Sequence, residues 1–276
     1  MKQLLAKPYI PLAGERTMLE KLKPVLAARF SDGHACMAGT RTSILQQIVE
    51  WSEGRTSTNS FWVHGTAGSG KSTIASSVCE QLRDKNILAG SFYCKRDIPE
   101  QRDPRRILPS CSYTLATKVE PYCRLVLKAI ENEPDISTSP LALQLTTLFI
   151  VPLEALQKQG YSRPPLLFVI DALDESGDYA SRALMADCLC RIAVLADWLK
   201  VLVTSRPLPE LSHVFETSHS SSVTSFDLNR VDAEEDIIMY TRSRLEILGE
   251  SSGLEDDTTR YVVPKLRRRV RHAAVC

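Results

Sequence analysis

Phe61-Trp62-Val63-His64-Gly65-Thr66-Ala67-Gly68-Ser69-Gly70-Lys71-Ser72-Thr73 is the stretch on which the fold of this 276-residue chain turns. Residues 61–64 read as a buried strand that runs straight into a glycine-rich loop. Gly65 to Ser72 fit the pattern G-x-x-x-x-G-K-[ST] at every required position. Such a loop wraps its backbone N–H groups around phosphate oxygens, and its glycines supply the dihedrals and the close backbone approach this needs. Lys71 opens a helix over 71–84 with Ile74, Val78 and Leu82 on one face, and the positive end of that helix points at the same anion. Lys71 is therefore the residue to reach the β- and γ-phosphates, and the Ser72 hydroxyl the one to bind Mg²⁺. An average chain of this length meets the pattern by chance roughly one time in a hundred. A strand before and an amphipathic helix after it are what distinguish a phosphate loop from a turn that merely contains glycine.

Outward from the loop, apolar strands alternate with helices. ILAGSFYC (87–94) reads as a second strand, LLFVID (166–171) as a third, LKVLVTS (199–205) as a fourth and SVTSFDL (222–228) as a fifth. Helical spacing marks 41–54, most of 104–160 and 179–198, with Pro152 expected to kink or break the last helix of the second group. A short helix near 16–29 leads in, and 231–248, acidic in its first turn, reads as a further helix. This order predicts an α/β fold: a P-loop NTPase of three layers, α/β/α, on a mostly parallel five-stranded sheet, plus an N-terminal helix and a partial C-terminal helical lid. The expected divisions are a lead-in over 1–38, the NTPase domain over 39–230, the start of a lid over 231–250 and a basic tail over 251–276. The cationic run Lys265 to His272 is read as a solvated terminus in preference to a nuclear signal or an anionic-surface patch.

The second half of the expected site lies in LLFVIDALDE (166–175). Asp171 ends an apolar strand, which places its carboxylate at the C-terminal edge of the sheet beside the loop, where it would hold Mg²⁺. Asp174 or Glu175 would orient and deprotonate an attacking water, Asp174 being the first choice. The strand at 87–94 lies between the P-loop and this acid. Arg206, after Thr204 and Ser205 at the end of the fourth strand, is a candidate to sense the γ-phosphate; its other reading is a surface arginine before a proline turn. No NKxD guanine motif follows the third strand, and Thr117-Lys118-Val119-Glu120 comes too early and in a helical stretch, so adenine is the expected base.

Composition narrows the rest. With 43% hydrophobic and 24% charged residues and a formal net charge of +1, the chain is ordinary for a soluble globular protein and has no global charge to draw it to nucleic acid or anionic membrane. No run approaches the ~20 apolar residues of a membrane span, and the first residues lack the apolar core of a signal peptide, so the cytoplasm is the expected location. The eight cysteines include no CxxC pair beside a second one, and Cys188 and Cys190 point to different faces of a helix; reduced thiols fit better than a zinc site.

Together these residues resemble the NACHT family of signal-transduction ATPases, in particular its fungal branch with a nephrocystin-3-like N-terminal type. The carrying motifs are CMAGTR (36–41) with the helix to Trp51, HGTAGSGKST, GSFYCKRD, RRILPSCSYTLA, LLFVIDALDE and LKVLVTSRP, in that order. The resemblance covers about residues 36–248 and implies a switch that holds ADP when inactive, exchanges it for ATP, then self-associates or engages an effector protein. It also implies that Gly39 and Arg41 lie against the adenine and phosphates, although Thr40 also reads as a plain helix N-cap. The tail DDTTRYVVPKLRRRVRHAAVC no longer resembles the family, and no counterpart of its winged-helix histidine is found. Three functions compete: a slow regulatory ATPase, a nucleotide-binding interaction module without hydrolysis, and a small-molecule kinase. The last is disfavoured because DALDE supplies acids suited to activating water.

Overall fold

The computed structural model describes residues 9–33, 35–54 and 57–231, together with Asp236 and Met239. The expected lid helix, apart from Val231 and those two positions, and the basic tail lie outside the described residues. Five strands, β1 (Ser60–His64), β2 (Leu88–Tyr93), β3 (Leu166–Asp171), β4 (Leu199–Ser205) and β5 (Val223–Asp227), form one sheet in the order β2-β3-β4-β1-β5. Every pairing is parallel, so the sheet is wholly rather than mostly parallel. The strand expected between the P-loop and the acid is β2, and it lies between them only along the chain. In space β2 is an edge strand, and β4 separates β1 from β3.

Alternation along the strands divides two cores. Trp62, Phe92, Phe168, Ile170, Val201 and Val203 face one side, and Phe61, Val63, Leu167, Val169 and Leu202 face the other. The second side is covered by α2 (Thr42–Glu53) and α3 (Lys71–Asp84), through Ile44, Ile48, Ile74, Val78 and Leu82. The first is covered by α5 (Ile107–Ala116), α6 (Glu120–Asn132), α7 (Leu141–Leu145), α8 (Val151–Lys158) and α9 (Tyr179–Leu195). One-turn helices α4 (Pro99–Arg102) and α10 (Pro209–Ser212) follow β2 and β4. Each large side chain fully buried in these layers stabilises by about 1.5–3 kcal/mol.

The lead-in helix is shorter than its sequence suggests. α1 covers Ala13–Leu19 and gives way to 3₁₀ turns at Glu20–Leu22 and Leu26–Ala28. Pro24 favours this ending: helical dihedrals are disfavoured for the residue before a proline, and Lys23 sits at φ 48°. Pro152 has the opposite outcome. It neither ends nor breaks its helix, because a π turn at Thr146–Ile150 joins α7 to α8 and takes up the strain. Proline cannot donate to the Leu148 carbonyl four residues back, and the buried Tyr122 hydroxyl donates to that oxygen instead, at 2.7 Å. Thr117-Lys118-Val119-Glu120 is not a continuous helix: the first three residues join α5 to α6, and Glu120 begins α6.

Helix α5 packs closely on β2 at Gly90. A Cβ there would lie 2.3 Å from Thr114 Oγ1 and 2.9 Å from Thr114 Cβ, and turning the Thr114 side chain would leave its Cβ in place. Gly90→Ala is expected to destabilise by about 1–3 kcal/mol, seen as a lower denaturant midpoint at unchanged slope. An unchanged midpoint would mean that α5 retreats from β2 without loss.

Candidate functional site

The parallel sheet brings the C-terminal ends of β1, β3 and β4 to one edge. His64 pairs in register with Ser205, and Ile170 with Val203, so Asp171 stands beside Thr204. From that edge β1 passes into Gly65-Thr66-Ala67-Gly68-Ser69-Gly70, and Lys71 begins α3. Gly70, the N-cap position, has φ 91°, which a residue with a Cβ seldom adopts. A Cβ on Gly65 would meet Ser69 Oγ at 2.8 Å and Leu228 Cβ at 3.1 Å. Ala67 and Ser72 are exposed, and Thr73 is half-buried on the first turn.

Lys71 folds back over the loop. Its Nζ donates to the Gly65 carbonyl at 2.8 Å, the Thr66 carbonyl at 2.7 Å and Ser69 Oγ at 3.3 Å. Burial lowers its pKa, Asp174 opposes that shift, and Arg206 adds to it. A cation partly out of water and satisfied only by neutral oxygens is well prepared to exchange them for phosphate.

Asp171 is 3% exposed. Thr204 Oγ1 donates to its Oδ1 at 2.6 Å and accepts from the Ala172 N–H at 3.0 Å, fixing the strand end across β3 and β4. Burial raises the Asp171 pKa, while the Thr204 hydroxyl, the Ser72 hydroxyl and Lys71 pull it back. A buried carboxylate facing a serine hydroxyl offers the hard oxygen donors that Mg²⁺ takes, and a divalent cation would offset the cost of burying the charge. Ser72 and Asp171 therefore fit the metal expected of them.

The chain then turns sharply through Ala172, at φ 54°, into a 3₁₀ turn, Leu173–Glu175. Asp174, 4% exposed, points back to the loop and is held from β4: the Arg206 N–H donates to Oδ1 at 3.0 Å, and Arg206 Nε lies 3.2 Å from Oδ2. Glu175 turns the other way and accepts from the Arg96 N–H at 3.2 Å. Among the acids acting on Lys71, Asp174 acts most strongly and Glu175 least. Of the two candidates for the base, the geometry favours Asp174. Arg206 is exposed before Pro207 and pairs with an acid, but that acid is the buried Asp174 rather than one at the surface.

Ahead of the loop, Arg41 sits at φ 54° in the N-cap position of α2. Its Nη2 donates to the Ser69 carbonyl at 3.1 Å, and its Nε lies 3.4 Å from Asp236 Oδ2. Arg41 thus reaches the loop, and Gly39, at φ 87°, makes the bend that sends it there. Thr40 is not the N-cap; its hydroxyl donates backward to the Met37 carbonyl at 2.8 Å.

Three contributions were not foreseen. Thr204 joins the two strand ends, as above. Asn229, just after β5, accepts from both the Thr66 N–H at 3.1 Å and the Thr66 hydroxyl at 3.0 Å. Arg182 on α9 pairs with the buried Glu210 of α10 at 2.7 Å and donates to the Gly177 carbonyl at 3.1 Å, which fastens the turn carrying Asp174 to the segment after Arg206. The only sequence signals were a polar residue closing an apolar strand, an Asn in a turn, and an acid next to Pro209. None of these names its partner.

The sequence signature described as nephrocystin 3, N-terminal, matches residues 39–206, which is more than half of the chain. The chain belongs to the nephrocystin 3 N-terminal family. The family match begins at Gly39 and ends at Arg206, so it takes in the P-loop, Asp171, Asp174 and Glu175 as well. No curated relative matches the chain by sequence. Among solved structures, the Aeropyrum pernix ORC1 protein in complex with DNA is similar at TM-score 0.50 and 15% identity, over 93% of this chain and 61% of that one. A DNA replication initiation factor aligns at TM-score 0.42 and 9% identity, over 83% and 57%, and Drosophila ORC bound to AT-rich DNA and Cdc6 at 0.39 and 10%, over 82% and 64%. The chain thus spans about three-fifths of the length of the first two, 57% and 61%. At such identities the first of these likenesses shows a shared P-loop α/β fold.

Proposed function

We propose that this family member binds ATP or ADP with Mg²⁺ and hydrolyses ATP slowly, as the core of a NACHT-type regulatory switch. The observation that carries this reading is the convergence of Lys71, Ser72, Asp171, Asp174 and Arg206 at one sheet edge. Gly65 to Thr73 would cradle the phosphates, and Ser72 with Asp171 would hold Mg²⁺, which neutralises phosphate charge when bound. Arg206 would leave Asp174 for the γ-phosphate. Asp174 would then accept a proton from the attacking water as its oxygen bonds to the γ-phosphorus and the bond to the β-phosphate oxygen breaks. Arg41 would lie over the outer face of the loop, with the adenine on the side of Gly39. A cytoplasmic location, and self-association or an effector protein as partner, complete the switch; no nucleic acid is needed for it.

A second reading, a nucleotide-binding interaction module without turnover, draws on one observation. Asp174 is engaged by Arg206 through both backbone and side chain, which leaves it unready as a base until that pair opens. Asp174→Asn separates the readings. Asparagine keeps the hydrogen bond from the Arg206 N–H but cannot take a proton, so phosphate release should fall by about 10²-fold or more while ATP affinity stays within a few-fold. Unchanged turnover would remove Asp174 as the base. Denaturing extraction of nucleotide from the purified chain, followed by chromatography, tests the switch itself: co-purified ADP supports it, and guanine nucleotide would overturn the choice of base.

A further inference from the structure

His64 is the last residue of β1, one place before the P-loop, and it is only 7% exposed. The phosphate and magnesium chemistry of the site has no need of an imidazole. The ring stacks on Trp62 with centroids 4.1 Å apart. Nε2 lies 3.1 Å from Ser225 Oγ on β5, and that hydroxyl donates onward to Glu216 Oε1 at 3.4 Å. A hydroxyl has one proton to give, so it accepts from Nε2–H, and the neutral ring is left with a bare lone pair on Nδ1. Nδ1 is buried without a hydrogen-bond partner, and Asp227 Oδ1 faces it at 3.8 Å. Glu216 Oε1 stands 3.8 Å from Nε2. A lone pair turned toward a carboxylate is unfavourable; a proton on Nδ1 would make the same contact attractive, with the Trp62 face beside it to favour the cation. The same carboxylate reaches the P-loop: Asp227 Oδ1 accepts from the Asn229 N–H at 2.9 Å, and Asn229 Oδ1 holds the Thr66 N–H at 3.1 Å.

The charged groups facing the ring come from three directions. Asp227 ends β5 and Arg230 ends the 3₁₀ turn Leu228–Arg230 after it; Glu216 lies in the π turn His213–Ser218; Lys71 begins α3. On β4 the register partner of His64 is the neutral Ser205, and Arg206 beyond it is turned to Asp174. Burial holds His64 below the ordinary 6.5 of histidine; Asp227 and Glu216 oppose that, while Arg230 and Lys71 reinforce it. Phosphate on the loop would lie against Lys71 and offset its charge, which cancels one of the two cations opposing a proton on His64 and adds an anion nearby. We propose that His64 takes up a proton, held between Asp227 and Glu216, when phosphates fill the P-loop, so that the site binds nucleotide more tightly as pH falls. The coupling rests on the P-loop binding nucleotide and adds a control to it. Bound phosphate raises the pKa of His64 above its value in the empty chain. The gain in affinity is therefore complete below the empty-chain value, itself under 6.5, and fades as pH rises through the bound value.

The test is calorimetric titration with Mg·ADP at about pH 6 in two buffers of different ionisation enthalpy, which counts the protons taken up on binding. Wild type is expected to take up about 0.3 to 0.5 proton more than His64→Gln; the titration of the nucleotide itself is common to both chains and cancels. Between about pH 8 and about pH 5.5 wild type should gain roughly threefold to tenfold in affinity over this variant, and at the upper pH the two should bind within about twofold of each other. Asp227→Asn keeps an oxygen for the Asn229 N–H, and with it the hold on Thr66, but removes the charge facing Nδ1. It should lose most of the extra proton uptake, and it decides the matter where His64→Gln fails to fold. Equal proton uptake in wild type and the variants would overturn the role of His64 and leave the nucleotide site standing. So would a loss of affinity in His64→Gln that is the same at both ends of the pH range, because packing and not protonation would then be responsible. No Mg·ADP binding by wild type at any pH would remove the nucleotide site, and this coupling with it.

Discussion

Lys71→Ala is expected to weaken Mg·ATP binding about a hundredfold, a loss of roughly 2.7 kcal/mol. In the structure Nζ is satisfied by the Gly65 and Thr66 carbonyls and by Ser69 Oγ, all neutral acceptors that a charged phosphate would outbid. A hydrogen bond to a charged group contributes about 1.5–3 kcal/mol, and Lys71 would make two, less what it gives up on the loop. The loop itself should survive, because Gly65, Gly68 and Gly70 set its path and Asn229 still holds Thr66. The variant should therefore melt near wild type in the absence of nucleotide and lose the shift that ATP confers. Equal affinity in the two proteins by titration would count against the whole site.

Asp171→Asn should separate metal from nucleotide. Asparagine Oδ1 can still accept from Thr204, so the junction between β3 and β4 is kept. What is lost is the buried negative charge that would hold Mg²⁺ opposite Ser72. Hydrolysis should fall by about 10²-fold or more, and Mg²⁺ should no longer strengthen ATP binding. Binding of ATP without metal should hold steady or tighten, because a carboxylate that repels the phosphates has gone. Full retention of the magnesium effect would assign the metal to other residues.

The parts of this account that depend on local chemistry were legible in the sequence. The run from Phe61 through the helix at 71–84 could be read almost to the residue, because glycine dihedrals, a lysine and an amphipathic helix leave few alternatives for those positions. Asp171 could be read from the apolar run that ends on it. Long-range pairings could not. Nothing near β4 says that it inserts between β1 and β3, yet that insertion sets Thr204 and Arg206 beside the two acids. The same limit applies to Pro152. A proline in a helical run signals a break unless some distant donor takes the stranded carbonyl, and here Tyr122, 26 residues from Leu148, does so. Asp174 and Glu175 are chemically alike neighbours, and only the turn through Ala172 sends one toward the loop and the other toward Arg96.

The central claim is that this sheet edge binds a magnesium-nucleotide through the P-loop. Its most direct test is calorimetric titration of the nucleotide-stripped chain with ATP, run in Mg²⁺ and again with the metal chelated. The account predicts one ATP per chain, bound more tightly with the metal than without it, and ADP competing for the same site. No ATP binding by folded protein, or binding indifferent to both Mg²⁺ and ADP, would contradict it.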